Sequence, residues 1–224
     1  MSELCAELAA LFPPGAVAAQ LHGVAQPEYL TKDEISAVSH CSEKRVSDFT
    51  AGRLCARRAL KELGIEGFSL LPAKDRQPVW PTGIAGSITH TEGYSAAVVI
   101  RQGSVRSVGL DAERVAAVHE ELWARICAPA ELRNLRAFHG TRRGERAAVT
   151  FAAKEAFYKS QFALTGEWIG FADVVVELED ESGGGGVFTV TPQRPVLLQR
   201  QEPRQLAGRF RRHGEFVSAG IALC

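Results

Sequence analysis

Apolar positions recur along this 224-residue chain in two rhythms. From Ser42 to Leu63 the spacing is helical: Phe49, Leu54, Ala56, Leu60 and Leu63 recur on one side, and Gly64 stands where a helix would end. A second strong helix is predicted over 147–164, "AAVTFAAKEAFYKSQFAL". Thr31 and Glu34 have capping-box spacing and predict a short helix starting there. Residues 116–144 read as helical, and basic in their second part. Apolar runs bounded by turn residues predict strands at 15–22, across 84–100 as a pair about a turn at Thr91–Gly93, and at 105–115 after a turn at 101–104. Two hairpins follow, one over 171–193 with a flexible glycine-rich tip at Gly183–Gly186, and one over 206–223 turning at His213–Gly214. Between the first long helix and the strand pair over 84–100 lies a proline-punctuated loop, "LLPAKDRQPVWPTG".

The two long helices echo each other. A shift of 102 places lays Phe49 on Phe151, Arg53 on Glu155, Arg57 on Lys159 and Leu60 on Phe162, and "YSAAVVI" resembles "FVSAGIAL". Two α/β halves of similar design, 1–104 and 105–224, are expected.

Composition narrows the class. The apolar fraction of 46% and charged fraction of 23% suit a soluble globular protein, and the formal net charge of zero gives no general attraction to nucleic acid or an anionic membrane. The cysteines, Cys5, Cys41, Cys55, Cys127 and Cys224, are odd in number and widely spaced, which fits reduced thiols and a cytoplasmic location. The acidic start lacks a signal-peptide pattern, and no apolar run would span a bilayer.

The chemistry concentrates in a few places. Asp111 and Glu113, at i and i+2 on a strand, point the same way, and two like charges that close invite a cation between them. Hard oxygen donors suit magnesium, with manganese as the substitute ion. A third acid, Glu155, sits one turn before Lys159 on an otherwise apolar helix, and Lys154 adds a second positive charge. Carboxylates beside lysines suggest a bridging phosphate. A solvated acidic edge and a surface ion pair are the plain alternatives. Arg45 and Arg53 share a helix side approximately, as an anion clamp or as surface charges; Arg76 rides on the stiff loop; Thr89 and His90 end a strand with a hydroxyl and an imidazole.

Three stretches in order, "RQPVWPTGIAGSITHTEGY", "VGLDAE" and "FAAKEAFYKS", resemble the Sfp-type 4′-phosphopantetheinyl transferases, in the branch serving siderophore, polyketide and non-ribosomal peptide synthases. With the arginine helix and "WIGF", the likeness covers most of 42–175. It implies an α/β fold of the α+β type: a pseudo-twofold pair of subdomains, each a small, mainly antiparallel sheet packed with helices, with coenzyme A in the cleft between them. It implies transfer of the phosphopantetheine arm to a serine of an acyl- or peptidyl-carrier protein, releasing 3′,5′-ADP. Asp111, Glu113 and Glu155 then fall on the magnesium ligands and Lys159 on a pyrophosphate contact. Thr89 and His90 fall on nucleotide and phosphate contacts, Arg45 and Arg53 on holders of the 3′-phosphate, and Lys74, Arg76 and Lys154 on further coenzyme A contacts. Phe151 and Ala152 depart from the family's usual Trp and Cys, Ser or Thr, Thr89 from its commoner Ser, and Ala112 from a polar residue in some relatives.

Catalysis by Asp111, Glu155, Lys159 and His90 is expected, with Glu155 as base and a water held by the ion as the alternative. The segment 130–146, carrying Arg133, Arg136, Arg142, Arg143 and Arg146, is the expected carrier-docking surface, with a solvated basic helix as the alternative. The competing classes are a magnesium-dependent coenzyme A pyrophosphate hydrolase and a non-catalytic coenzyme A-binding module. An internal pseudo-dimer makes a monomer the default.

Overall fold

The computed structural model describes residues 2–181, 183–196 and 205–224. Its strands form two antiparallel sheets. The first contains β1 (Glu3–Leu4), β2 (Val17–His22), β3 (Ile84–Thr91) and β4 (Tyr94–Arg101) in the order β1-β2-β4-β3. The second contains β5 (Ser107–Arg114), β6 (Val174–Asp180), β7 (Gly185–Pro192), β8 (Leu206–His213) and β9 (Phe216–Leu223) in the order β5-β9-β8-β7-β6. The helices are α1 (Ala6–Ala9), α2 (Lys32–Val38), α3 (Glu43–Glu62), α4 (Glu120–Ile126), α5 (Pro129–Leu135) and α6 (Gly140–Thr165).

Each sheet is built by the same sequence of moves. A strand (β2 or β5) leads to a long helix (α3 or α6), then to a hairpin whose last strand returns antiparallel beside the first. The second set carries one further hairpin, β6–β7. The echo between "YSAAVVI" and "FVSAGIAL" thus joins two strands of equivalent position, β4 and β9. This is the expected α+β pair of antiparallel sheets packed with helices.

Local chemistry sets the long helices. Ser42 Oγ accepts the Arg45 amide to cap α3, and Gly64, at φ +78°, turns the chain out after it. Gly166, at φ +65°, ends α6 in the left-handed conformation. Alanines line the buried faces: Ala51, Ala56 and Ala59 of α3 pack with Ala19, Leu21, Ala97 and Val99, and Ala148, Ala152 and Ala156 of α6 with Val217, Ala219 and Ile221. Leu8, Leu11 and Phe12 fill a third cluster with Val98, Val108, Leu110 and Phe216, so the two sheets share a core.

Three elements differ from the sequence reading. The 116–144 run is cut into α4, α5 and the start of α6, because Pro129 opens a new helix at its first turn. The last hairpin turns on Gly214–Glu215, since His213 still pairs with Phe216. Gly185 and Gly186 are paired in β7 rather than loose: a Cβ at Gly186 would lie 2.1 Å from Glu179 O and 2.6 Å from the Phe210 ring, so close packing demands the glycine. Ser182 lies outside the described residues. All five cysteines are unpaired, and no helix among the described residues is long and apolar enough to cross a membrane.

Candidate active site

A cleft of about 530 Å³ opens between the sheets. One wall is α3, which contributes Arg45, Phe49 and Arg53; the opposite wall is α6, with Tyr158, Lys159 and Phe162. The 70–83 loop adds Arg76 and Trp80. The loop is held at its root by Glu34, a fully buried carboxylate that accepts the Leu70 amide at 2.9 Å and pairs with Arg57 at 2.7 Å. It also caps α2 through Thr31 N–H at 3.0 Å. Arg76 has φ +71°, the one left-handed non-glycine among the described residues, at the tip of a turn closed by its amide on Ala73 O. Arg53 is buried, its guanidinium 3.6 Å over the Phe49 ring and its Nε donating to Leu70 O at 3.1 Å. Burial lowers its pKa to about 10, which leaves it charged at neutral pH. Arg45 Nη1 stands 3.4 Å from His90 Nε2 at the cleft mouth. His90 is solvent-exposed; partial desolvation lowers its pKa, Asp48 opposes that, and Lys159, Arg45 and Lys44 lower it further.

Asp111, on β5 and only 5% exposed, does not line the cleft but meets it through Lys159. Its Oδ1 accepts Lys159 Nζ at 2.6 Å and Thr89 Oγ1–H at 3.0 Å; its Oδ2 is buried with no hydrogen-bond partner. Lys159 Nζ also donates to Leu110 O at 3.1 Å and Ile88 O at 3.4 Å. The Glu113 carboxyl is pushed up to about 8, by burial first, then by Asp111, against the pull of Lys159, with Glu155 adding repulsion. Burial and Asp111 raise Glu155 in the same way. The three acids therefore feel one another, yet they are not drawn into a finished cage. Among the described residues no three acidic, histidine or cysteine side chains stand together as a group that could hold a metal ion.

Gly109 lets α6 approach β5 this closely. A Cβ there would sit 1.8 Å from the Ala156 carbonyl oxygen. Glu155 and Lys159 flank that contact on the helix, and Asp111 lies two residues beyond it on the strand.

Two family descriptions match the chain: the 4′-phosphopantetheinyl transferase N-terminal domain over residues 33–100, and the 4′-phosphopantetheinyl transferase superfamily over 107–211. The 4′-phosphopantetheinyl transferase Npt of Nocardia iowensis is 36% identical over 184 residues, covering 80% of this chain and 81% of that protein. The chain belongs to the Sfp-type 4′-phosphopantetheinyl transferases. The transferase is also 38% identical over 153 residues to PptT of Mycobacterium tuberculosis, covering 68% of this chain and 66% of that one. With Svp of Streptomyces mobaraensis the identity is 32% over 182 residues, covering 79% and 73%.

The structure brings Arg45, Arg53, Arg76, His90 and Lys159 to the cleft of the transferase. Lys154 departs from expectation. Its ammonium is 1% exposed, paired with Glu131 at 2.7 Å, and donates to Ile126 O at 2.9 Å and Phe171 O at 2.8 Å. Lys154 and Lys159 are five residues apart, roughly 140° around a helix, so they cannot serve the same ligand. Glu131 accepts the Ala128 and Val176 amides as well, so this ion pair ties α5 and β6 to α6. Lys74 does not line the cleft, and the Thr89 hydroxyl is spent on Asp111 and the Ala112 amide at 3.0 Å. Sequence reasoning missed Trp80, whose ring lies 2.6 Å from where a Cβ on Gly86 would be, and Tyr158; an aromatic between two prolines and one on the Glu155–Lys159 helix were the available signals. A narrower apolar groove of about 210 Å³ lies beside Glu155, walled by Tyr158, Trp168, Ile169 and Phe171.

Proposed function

We propose that the transferase moves the 4′-phosphopantetheine arm of coenzyme A onto a serine hydroxyl of an acyl- or peptidyl-carrier protein, releasing 3′,5′-ADP. The carrying observation is Asp111: one carboxylate oxygen held by Thr89 and by Lys159, which lines the cation-rich cleft, and the other buried and unpartnered. The cations Arg45, Arg53 and Arg76 suit the phosphates of coenzyme A, and the apolar groove beside Glu155 suits an extended amide chain.

The residues fit a hard divalent ion in chemistry: oxygen donors only, an orphaned Asp111 Oδ2, and Glu113 and Glu155 raised by burial first and by the charge of Asp111 second. Asp111, Glu113 and Glu155 would hold magnesium, or manganese in its place. When bound, the ion supplies charge neutralisation on the pyrophosphate. Lys159, poised between the two sheets, contributes a second positive centre for the leaving 3′,5′-ADP. Glu155 is the base that takes the serine proton: a carboxylate has two oxygens, so one would hold the ion while the other accepts the proton. His90, with Arg45, faces the phosphates at the cleft mouth.

The halves 1–104 and 105–224 act as the two jaws of this site, and one chain supplies every residue named, so a monomer suffices. On the carrier side, Arg142 and Arg146 bind Asp180, and Arg143 pairs with Glu120, whereas Arg133 and Arg136 are exposed and form no ion pair among the described residues. Those two are the residues for an acidic carrier surface. The deciding experiment incubates an apo-carrier with coenzyme A and Mg²⁺ and reads its mass. A gain of the phosphopantetheine mass is expected for the wild type and none for Asp111→Ala or Glu155→Ala. Free 4′-phosphopantetheine with an unmodified carrier would instead mean a pyrophosphate hydrolase.

A further inference from the structure

The sheets of the transferase meet edge to edge, β3 against β5, through side-chain hydroxyls. Strand alternation turns Ser87 and Thr89 of β3 toward β5 and His90 away. Ser87 Oγ accepts Leu110 N–H at 3.0 Å and lies 3.4 Å from Leu110 O. Thr89 Oγ1 accepts Ala112 N–H at 3.0 Å. A hydroxyl carries one proton. With the amide on one side of the oxygen, that proton goes to the other neighbour, Asp111 Oδ1, at 3.0 Å. Lys159 joins Thr89 on the same oxygen. Both of the hydrogen bonds to the Asp111 carboxylate therefore fall on Oδ1, and the buried Oδ2 has none. Threonine is suited to the task because its branched Cβ restricts χ1 and holds the hydroxyl in one direction.

We propose that Thr89 is a positioning residue: reaching from β3 into the other sheet, its hydroxyl pins Asp111 Oδ1 and so leaves Oδ2 free to hold the ion. This replaces direct phosphate contact as the role of Thr89, since its one proton is already used. The assignment rests on the ion reading given above. It also explains why the two sheets must meet in one register for the site to form: the aspartate stands on one and its guide on the other.

The test titrates Mn²⁺ into the protein at saturating coenzyme A without carrier, following free Mn²⁺ by its paramagnetic resonance. Coenzyme A affinity is measured separately without metal. Thr89→Val, nearly the same shape without the hydroxyl, should weaken Mn²⁺ binding and lower kcat by about 10–100-fold, the usual cost of losing an outer hydrogen bond to a ligand. Metal-free coenzyme A affinity should not move. Thr89→Ser should restore both quantities to within about threefold of wild type. Ser87→Ala removes the neighbouring junction bond and should lower the melting temperature while leaving Mn²⁺ affinity intact. Should Thr89→Val fail to fold, Thr89→Ala carries the same measurement. Wild-type Mn²⁺ affinity in the hydroxyl-free variant overturns the assignment, as does an equal loss in Ser87→Ala. A loss of metal-free coenzyme A affinity would return Thr89 to a phosphate contact. A wild-type protein that takes up no Mn²⁺ overturns the ion reading itself, and the assignment with it.

Discussion

Gly109→Ala tests the alignment on which the active site depends. The added Cβ would lie 1.8 Å from Ala156 O, 2.8 Å from its carbonyl carbon and 3.0 Å from Ser160 N. A comfortable carbon–oxygen contact is about 3.3 Å, so strand and helix must part by roughly 1.5 Å. Both are backbone, so no side chain can turn aside. Overfilling a packed site of this kind costs about 1–3 kcal/mol, a drop in melting temperature of roughly 2–12 °C for a chain this size. The larger effect is on geometry. The Asp111–Lys159 contact of 2.6 Å spans the same strand and helix, and a displacement of this size takes it beyond hydrogen-bond reach. A misplacement of about 1 Å costs on the order of 100-fold in rate. The assay is the transfer rate onto an apo-carrier, read by mass, beside a thermal melt. Gly144→Ala is the control: it lies on the same helix, its nearest foreign atom is 4.0 Å away, and it should hold or raise stability. Wild-type rate and melting temperature in Gly109→Ala would show slack between β5 and α6 and refute the reasoning.

Lys154→Met strands Glu131 in the interior without its counter-charge and should cost about 3–5 kcal/mol in urea unfolding, with part of it recovered in Lys154→Met/Glu131→Gln; a loss under about 0.5 kcal/mol would contradict a structural ion pair. Arg133→Glu with Arg136→Glu should raise the carrier KM about tenfold and leave coenzyme A affinity alone, read by steady-state kinetics against each substrate; unchanged carrier kinetics would move the docking surface elsewhere. His213, 2.8 Å from Ser218 Oγ and stacked on Phe216, has its pKa lowered by burial and by His22, against Glu7. The unfolded chain then holds this proton more tightly than the folded one. The stability at stake is complete above about pH 6.5 and is lost as pH falls toward the lowered folded value. Urea midpoints at pH 7.5 and 5.5 should diverge in wild type and less in His213→Gln; an equal slope in both would remove His213 from the account.

The sequence by itself determined what depends on near neighbours. The Thr31–Glu34 box, the Ser42 cap with Gly64, the hairpins and the i, i+2 pair Asp111 and Glu113 are set by periodicity and by bonds a few residues long, which leave their mark in a short window. The echo between "YSAAVVI" and "FVSAGIAL" was visible because β4 and β9 hold equivalent places in their sheets. Only the tertiary structure decided which groups meet. Lys154 and Lys159 look alike in the chain, yet the turn of the helix sends one to Glu131 and the other to Asp111. Thr89 and His90 are adjacent, yet the pleat sends one across to β5 and the other to the cleft mouth. Such choices depend on partners brought in from remote segments by packing, down to the missing Cβ of Gly109, and no local pattern records who those partners are.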